Sequence, residues 1–234
     1  MKAKKNKTTF FFGLLKKREC WGLSWKGWLL GIFTAISCFV FLLKNTHPFL
    51  APTERLDSKI LVIEGWLNDD SVKQAFDEFR IHNYNHIYVT GGPLESGSFL
   101  SNFKSFAELG AAKLKKLEIP AKNITAVPGL GTPKDRTYTS ALALKKYFEE
   151  NNINVKSFNL FSQGSHSKRS QLLFNLAFEN KVSIGIIPAK PYYYDPQSWW
   201  SSSAGFRSIF NELIAYPYAL FYKYTKLGNL TGSI

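Results

Sequence analysis

The sequence predicts an α/β protein: a mostly parallel five-stranded sheet with helices on both faces, preceded by one transmembrane helix. Three observations carry this. Gly27 to Leu43 is a stretch of 17 residues without a charge. From Lys59 onward, short apolar runs alternate with segments of helical period, the pattern of βαβ units. Most of those runs are followed by a polar loop rich in glycine or hydroxyl side chains.

The uncharged stretch would extend roughly 26 Å as a helix, close to the ~30 Å of a bilayer core. Trp21, Trp25 and Trp28 stand at its start, and Lys26 can snorkel. Of the 30 Lys and Arg, 9 fall in residues 1–51, together with 1 of the 17 acidic residues. This excess before the span puts a basic tail, residues 1–26, in the cytoplasm and the domain outside an inner membrane. Residues 44–58, with Pro48 and Pro52, read as a linker, 59–224 as the domain and 225–234 as a C-terminal tail. Two other readings of the segment stay open. A cleaved signal peptide lacks a clean small-x-small site near His47 to Ala51. A lipoprotein signal at Ala35-Ile-Ser-Cys38 is followed by apolar residues where a mature chain turns polar.

The domain elements follow in order. Lys59 to Ile63 is a buried strand, and Asp69 or Asp70 caps a helix to about Asn83. His86 to Thr90 is the second strand, stopped by Gly91-Gly92-Pro93. A helix from about Ser101 to Leu117 ends at Ile119-Pro120, and Ile124 to Val127 is the third strand. Asp135 or Thr137 opens a helix to about Asn151. Ser157 to Phe161 is the fourth strand, with a helix from Lys168 to Asn180, and Val182 to Ile187 is the fifth. A polar and aromatic loop, Pro188 to Ala204, leads to a last helix from Gly205 to Tyr224, interrupted or kinked at Pro217.

In a parallel sheet all carboxyl ends share one rim, where open α/β folds bind ligands. The loop Ser162-Gln-Gly-Ser-His-Ser-Lys-Arg169 brings hydroxyls, an imidazole and two cations there. Such a set suits a phosphate or similar small anion. Arg136, Lys168 and Arg169, with Lys134, are the candidate anion holders, and Thr137 opens the same helix. Gly91, Gly92, Ser162 and Ser165 offer donors. His166 or Glu64 is the candidate to move a proton. Each has a plainer alternative: Gly91-Gly92 as a turn, His166 as a surface residue, Glu64 in a structural ion pair with Arg136 or Arg169.

Other chemistries are poorly matched. The two cysteines, Cys20 and Cys38, lie at or in the span, so the domain has no thiol chemistry. No histidine–carboxylate cluster has metal-ligand spacing. No cofactor is expected, since the dinucleotide, Walker and Gly-x-Ser-x-Gly patterns are missing. Nucleic acid is not expected as a partner, because the basic tail runs directly into the apolar span. The aromatic loop Tyr192 to Trp200 suits a ligand wall, a bilayer contact or a cover for the sheet edge. Tyr216 to Tyr224 suits docking on the core or lying on the membrane interface.

The first strand with Gly65, the Thr90-Gly91-Gly92 turn, the helix around Ser105, Thr137 with Ala141, and above all His166 and Arg169 three apart give this order a likeness. It resembles the ElyC, SanA and YdcF family of bacterial envelope domains over about Lys59 to Tyr224. The resemblance implies a Rossmann-like fold and a role in cell-envelope biogenesis, with lipid-linked or polysaccharide precursors. A non-catalytic assembly or regulatory factor is the alternative. The chain departs from many relatives in having Phe106 where they carry Glu, and Thr139-Ser140 where they carry Glu-Asn.

Overall fold

The computed structural model describes residues 9–10, 15–16, 24–95, 97–132 and 134–231, with side chains over 24–95, 97–132 and 134–222. Most of the expected basic tail, 1–26, lies outside these. What is described of it includes a minimal antiparallel pair, β1 (Thr9–Phe10) and β2 (Leu15–Lys16). The chain divides into two units, residues 1–42 and 43–234.

Helix α1, Trp25–Leu50, is long and apolar enough to cross a membrane. It does not stop at the end of the uncharged stretch. It runs on through Pro48 to Leu50, so the first half of the expected linker is helical. The reason lies in packing. Leu50 is buried in a small cluster with Trp199 and Ile209, and the Trp199 indole N–H donates to the carbonyl of Leu43 at 2.9 Å.

The second half of the expected linker is also tied down. Glu54 pairs with Ile186 as an isolated antiparallel bridge. Buried Asn159 donates to the Leu56 carbonyl and accepts from its N–H, both at 2.8 Å. Ser58 Oγ donates to the Ser157 carbonyl at 2.8 Å. The chain thus descends from the carboxyl end of the sheet to its amino end before the first long strand begins.

Five strands form one parallel sheet: β3 (Ile60–Glu64), β4 (His86–Gly91), β5 (Ile124–Pro128), β6 (Ser157–Gln163) and β7 (Ser183–Ala189). Their order is β5-β4-β3-β6-β7. This is the Rossmann-like arrangement, with its reversal of direction between β3 and β6. The strands are near-continuous apolar runs because both faces are covered. Leu61, Ile63, Ile87 and Val89 pack under α2 (Asp69–Ile81) and α3 (Phe106–Lys116). Val62, Tyr88, Phe158 and Leu160 pack under α4 (Arg136–Glu150) and α5 (Ser167–Ala177).

Helix starts differ from expectation in ways that follow from capping chemistry. Asn68, not Asp69 or Asp70, caps α2, accepting from Ser71 N–H at 2.8 Å. Helix α3 starts at Phe106, later than expected. Ser105 and Glu108 form a reciprocal capping box there, satisfying otherwise orphaned donors. Asp135 precedes α4 in the left-handed region, φ 55°, and its side chain makes no cap. The last helix, α6 (Ser203–Thr231), runs through Pro217 and past the expected domain end at Tyr224.

Candidate functional site

The reversal point between β3 and β6 opens into a cleft of about 960 Å³ on the carboxyl rim. Strand β3 ends on Glu64, and β6 delivers the turn Gly164–His166. Helix α6 crosses above them, from the start of α5, where Glu212 bonds His166 and Arg169, to the start of α4. There the rings of Tyr222 and Tyr138 meet edge-on at 5.8 Å.

Close backbone approach shapes the floor. A Cβ at Gly65 would lie 2.2 Å from the Phe106 carbonyl oxygen, and one at Gly110 would lie 2.9 Å from Gly65 Cα. Glycine at both positions lets α3 sit directly on the ends of β3 and β4. Gly91 serves the same approach, since its Cβ would meet Phe106 Cβ at 2.8 Å. Gly91 and Gly92 both line the cleft.

Glu64 is 3% exposed. Neither arginine of the expected ion pair reaches it. Instead Ser162 Oγ donates to it, Ser170 Oγ contacts both its oxygens at 3.1 Å, and His166 Nε2 stands 3.9 Å away. A buried carboxylate with hydroxyl donors and one imidazole beside it sits where a substrate proton can be exchanged.

His166 is fixed from behind by Glu212. Its Nδ1 lies 2.9 Å from Glu212 Oε1. Arg169 donates to the same carboxylate through Nε (2.7 Å to Oε2) and Nη2 (2.9 Å to Oε1). Arg169 Nη2 also lies 2.8 Å from Nδ1, close enough to donate to it when that nitrogen is unprotonated. The carboxylate can only accept, so the contact with Glu212 suits the tautomer protonated on Nδ1, which leaves the Nε2 lone pair facing the cleft, whereas the contact with Arg169 suits the tautomer protonated on Nε2. Burial works against the Glu212 charge, but Arg169 and His166 outweigh it and hold the carboxyl down at about 2. Trp66 packs edge-on against the imidazole at 5.3 Å, and Thr137 Oγ1 lies 3.5 Å from Nε2.

The structure gathers Glu64, Gly91, Gly92, Arg136, Thr137, Ser165, His166 and Arg169 around one cleft. It leaves three expected residues off the lining. Ser162 is fully buried behind Glu64. Lys168 Nζ sits over the Phe49 ring, 4.4 Å from its centre. Lys134 is exposed, on the surface turn closed by Thr132. The cations that do line the cleft are already engaged: Arg136 pairs with Glu95, and Arg169 with Glu212. Four carboxylates, Glu64, Glu95, Asp135 and Glu212, face two guanidiniums across the lining. The cleft therefore combines carboxylates and one imidazole with paired cations, and Glu95 competes with any anion that approaches Arg136.

Glu212 and Ser170 are the functional positions sequence reasoning missed. Ser170 had a signal, since it follows Arg169 by one residue at the start of an amphipathic helix. Glu212 had one too: it is the single acidic residue between Asp195 and the end of the chain. Among the described residues no group of three or more His, Cys, Asp or Glu is placed to hold a metal. No protein-family model matches the chain, and no curated protein matches it.

Proposed function

We propose that this chain is a single-pass, membrane-anchored protein of cell-envelope biogenesis that processes a phosphorylated lipid-linked or polysaccharide precursor, with its N-terminus in the cytoplasm and its α/β domain outside. The likeness to the ElyC, SanA and YdcF domains supports the envelope role, and the basic tail ahead of α1 supports the orientation.

The observation that carries the chemical part is the histidine. Its Nδ1 is held against Glu212 and its Nε2 stands beside buried Glu64; we take the proton to be on Nδ1. In this reading Nε2 takes a proton from a water or hydroxyl attacking the phosphorus, and returns it to the departing oxygen. Glu212 stabilises the imidazolium between those steps without taking the proton itself. The phosphoryl group lies at the start of α4, where Asp135 leaves the first N–H groups uncapped and Arg136 and Thr137 reach in. Arg169, which lines the same cleft, adds a guanidinium.

The test uses the full chain in detergent with polyprenyl-diphosphate-linked sugars, scored by phosphate or lipid product released. Turnover that disappears in His166→Ala, with the thermal melt preserved, supports the reading. Undiminished turnover in that variant removes His166 from the chemistry. Binding without turnover in the parent chain would favour an assembly or regulatory role.

A further inference from the structure

Helix α6 carries more apolar surface than the domain uses. One face, through Ile209, packs on the core, and the next, through Ser208, Glu212 and Ala219, lines the cleft. The remaining face holds Phe206, Phe210, Leu213, Ile214, Tyr218 and Phe221, each between 40% and 73% exposed. At 100° per residue these six fall within an arc of about 140°, with Arg207 inside it at the start of the helix. Contiguous apolar surface of this extent on a folded domain marks an interaction surface.

We infer that this stripe rests on the lipid bilayer, with α6 lying in the membrane interface and the cleft opening beside it. Three observations point to lipid as the occupant. First, the near end of the stripe is tied to the place where the uncharged span of α1 ends. Trp199 donates to the Leu43 carbonyl and its ring meets Phe206 and Phe210 at 6.2 and 6.4 Å. Leu43 is the last residue of the uncharged stretch, so this end of α6 is bonded to the residue at which the expected span ends. Second, the chain enters the domain at the carboxyl rim, as the descent from Glu54 to Ser58 along β7 and β6 shows. The rim is therefore the side of the domain nearest along the chain to the expected span. Third, α6 crosses that rim from α5 to α4, so its outer face points away from the sheet on that same side. Exposed Tyr192, Tyr193 and Trp200 sit just before the helix, residue types that favour the headgroup layer.

Tyr218 belongs to both the stripe and the cleft lining. A molecule entering the cleft past Tyr218 can thus keep an acyl or prenyl chain in the bilayer while its polar head reaches the rim. This surface assignment stands on placement alone and is independent of whether His166 performs catalysis.

The test reads depth directly. In full-length protein carrying Cys20→Ser and Cys38→Ser, an environment-sensitive fluorophore is attached at Phe210→Cys, at Ile214→Cys, or at Ile81→Cys. Ile81 is 76% exposed at the far end of α2, on the amino side of the sheet. The protein is reconstituted into vesicles of phosphatidylcholine and phosphatidylglycerol, some bearing a nitroxide near the headgroup. Blue-shifted emission and several-fold stronger quenching at both α6 positions than at Ile81 support the inference. Equal, water-like emission and weak quenching at all three positions overturn it. So does protection of the α6 labels that rises with protein density and is insensitive to the nitroxide, which would assign the stripe to a second copy. Two α6 positions are used so that a single misfolded variant does not decide the outcome.

Discussion

His166 Nδ1 and Glu212 Oε1 stand 2.9 Å apart although 46 residues separate them in sequence. The bond favours a proton on Nδ1, so in the proposed mechanism its removal acts on chemistry before it acts on structure. Glu212→Gln keeps shape but offers an amide that can turn its N–H toward Nδ1. We expect kcat to fall by about 10²–10⁴-fold, the range set by loss of tautomer control and acid–base catalysis. Steady-state kinetics together with a thermal melt check this. An unchanged kcat would reduce Glu212 to a packing residue.

The same carboxylate makes stability depend on acid. Its folded-state value, about 2, lies below its ordinary 4.5. A depressed carboxyl contributes stability that is complete above the unfolded value and fades as pH falls through the folded one. Relative to Glu212→Gln, the parent chain should hold an advantage above pH 4.5 that shrinks steadily toward pH 2. Urea unfolding of both proteins at several pH values measures it. A gap that is constant across that window would contradict the assignment.

Glu95 and Arg136 form an exposed pair, with side chains 61% and 63% accessible. Exposed pairs contribute at most about 1 kcal/mol, so Glu95 is a weak competitor for the guanidinium. Glu95→Gln should tighten binding of a phosphate-bearing ligand by no more than about 5-fold. It should leave stability nearly unchanged. Calorimetric titration of the full chain in detergent decides the point. Weaker binding in this variant would mean that Glu95 itself contacts the ligand.

Gly110 and Gly65 face each other where α3 meets β3. Alanine favours a helix over glycine by about 1 kcal/mol, but overpacking against backbone costs about 1–3 kcal/mol. At Gly110 the new Cβ meets Gly65 Cα and Val89 Cγ1, both at 2.9 Å, so net destabilisation of about 1–2 kcal/mol is expected. Gly65→Ala should cost more, because its Cβ runs into a carbonyl oxygen that cannot turn aside. The order of urea midpoints, parent, Gly110→Ala, Gly65→Ala, is the observable.

Much of this was legible in the sequence, and the parts that were not have identifiable reasons. The five strands were readable because strands buried on both faces are written as unbroken apolar runs. The capping box at Ser105 and Glu108 was present as Ser-x-x-Glu but was masked by earlier serines. A side chain that reaches a site from a distant element can stand out in the sequence, as Glu212 does, without naming its partner. Glu212 sits in a helix whose aromatic content dominates its pattern, so its role emerges only when α6 is seen to cross the rim. Asn159, in the apolar run Phe158 to Phe161, did carry a signal. A polar side chain in a buried strand must find partners, and its partner is the segment taken for a linker.

That hold on Leu56 spans 103 residues and has a meaning in time as well as space. Synthesis runs from the N-terminus at about 5–20 residues per second. For some seconds after residues 50–58 are made, neither Asn159 nor Ile186 exists to receive them. The apolar helix can therefore settle in a bilayer while the segment behind it is still loose. Only when the last strand is made does that segment become fixed against β6 and β7.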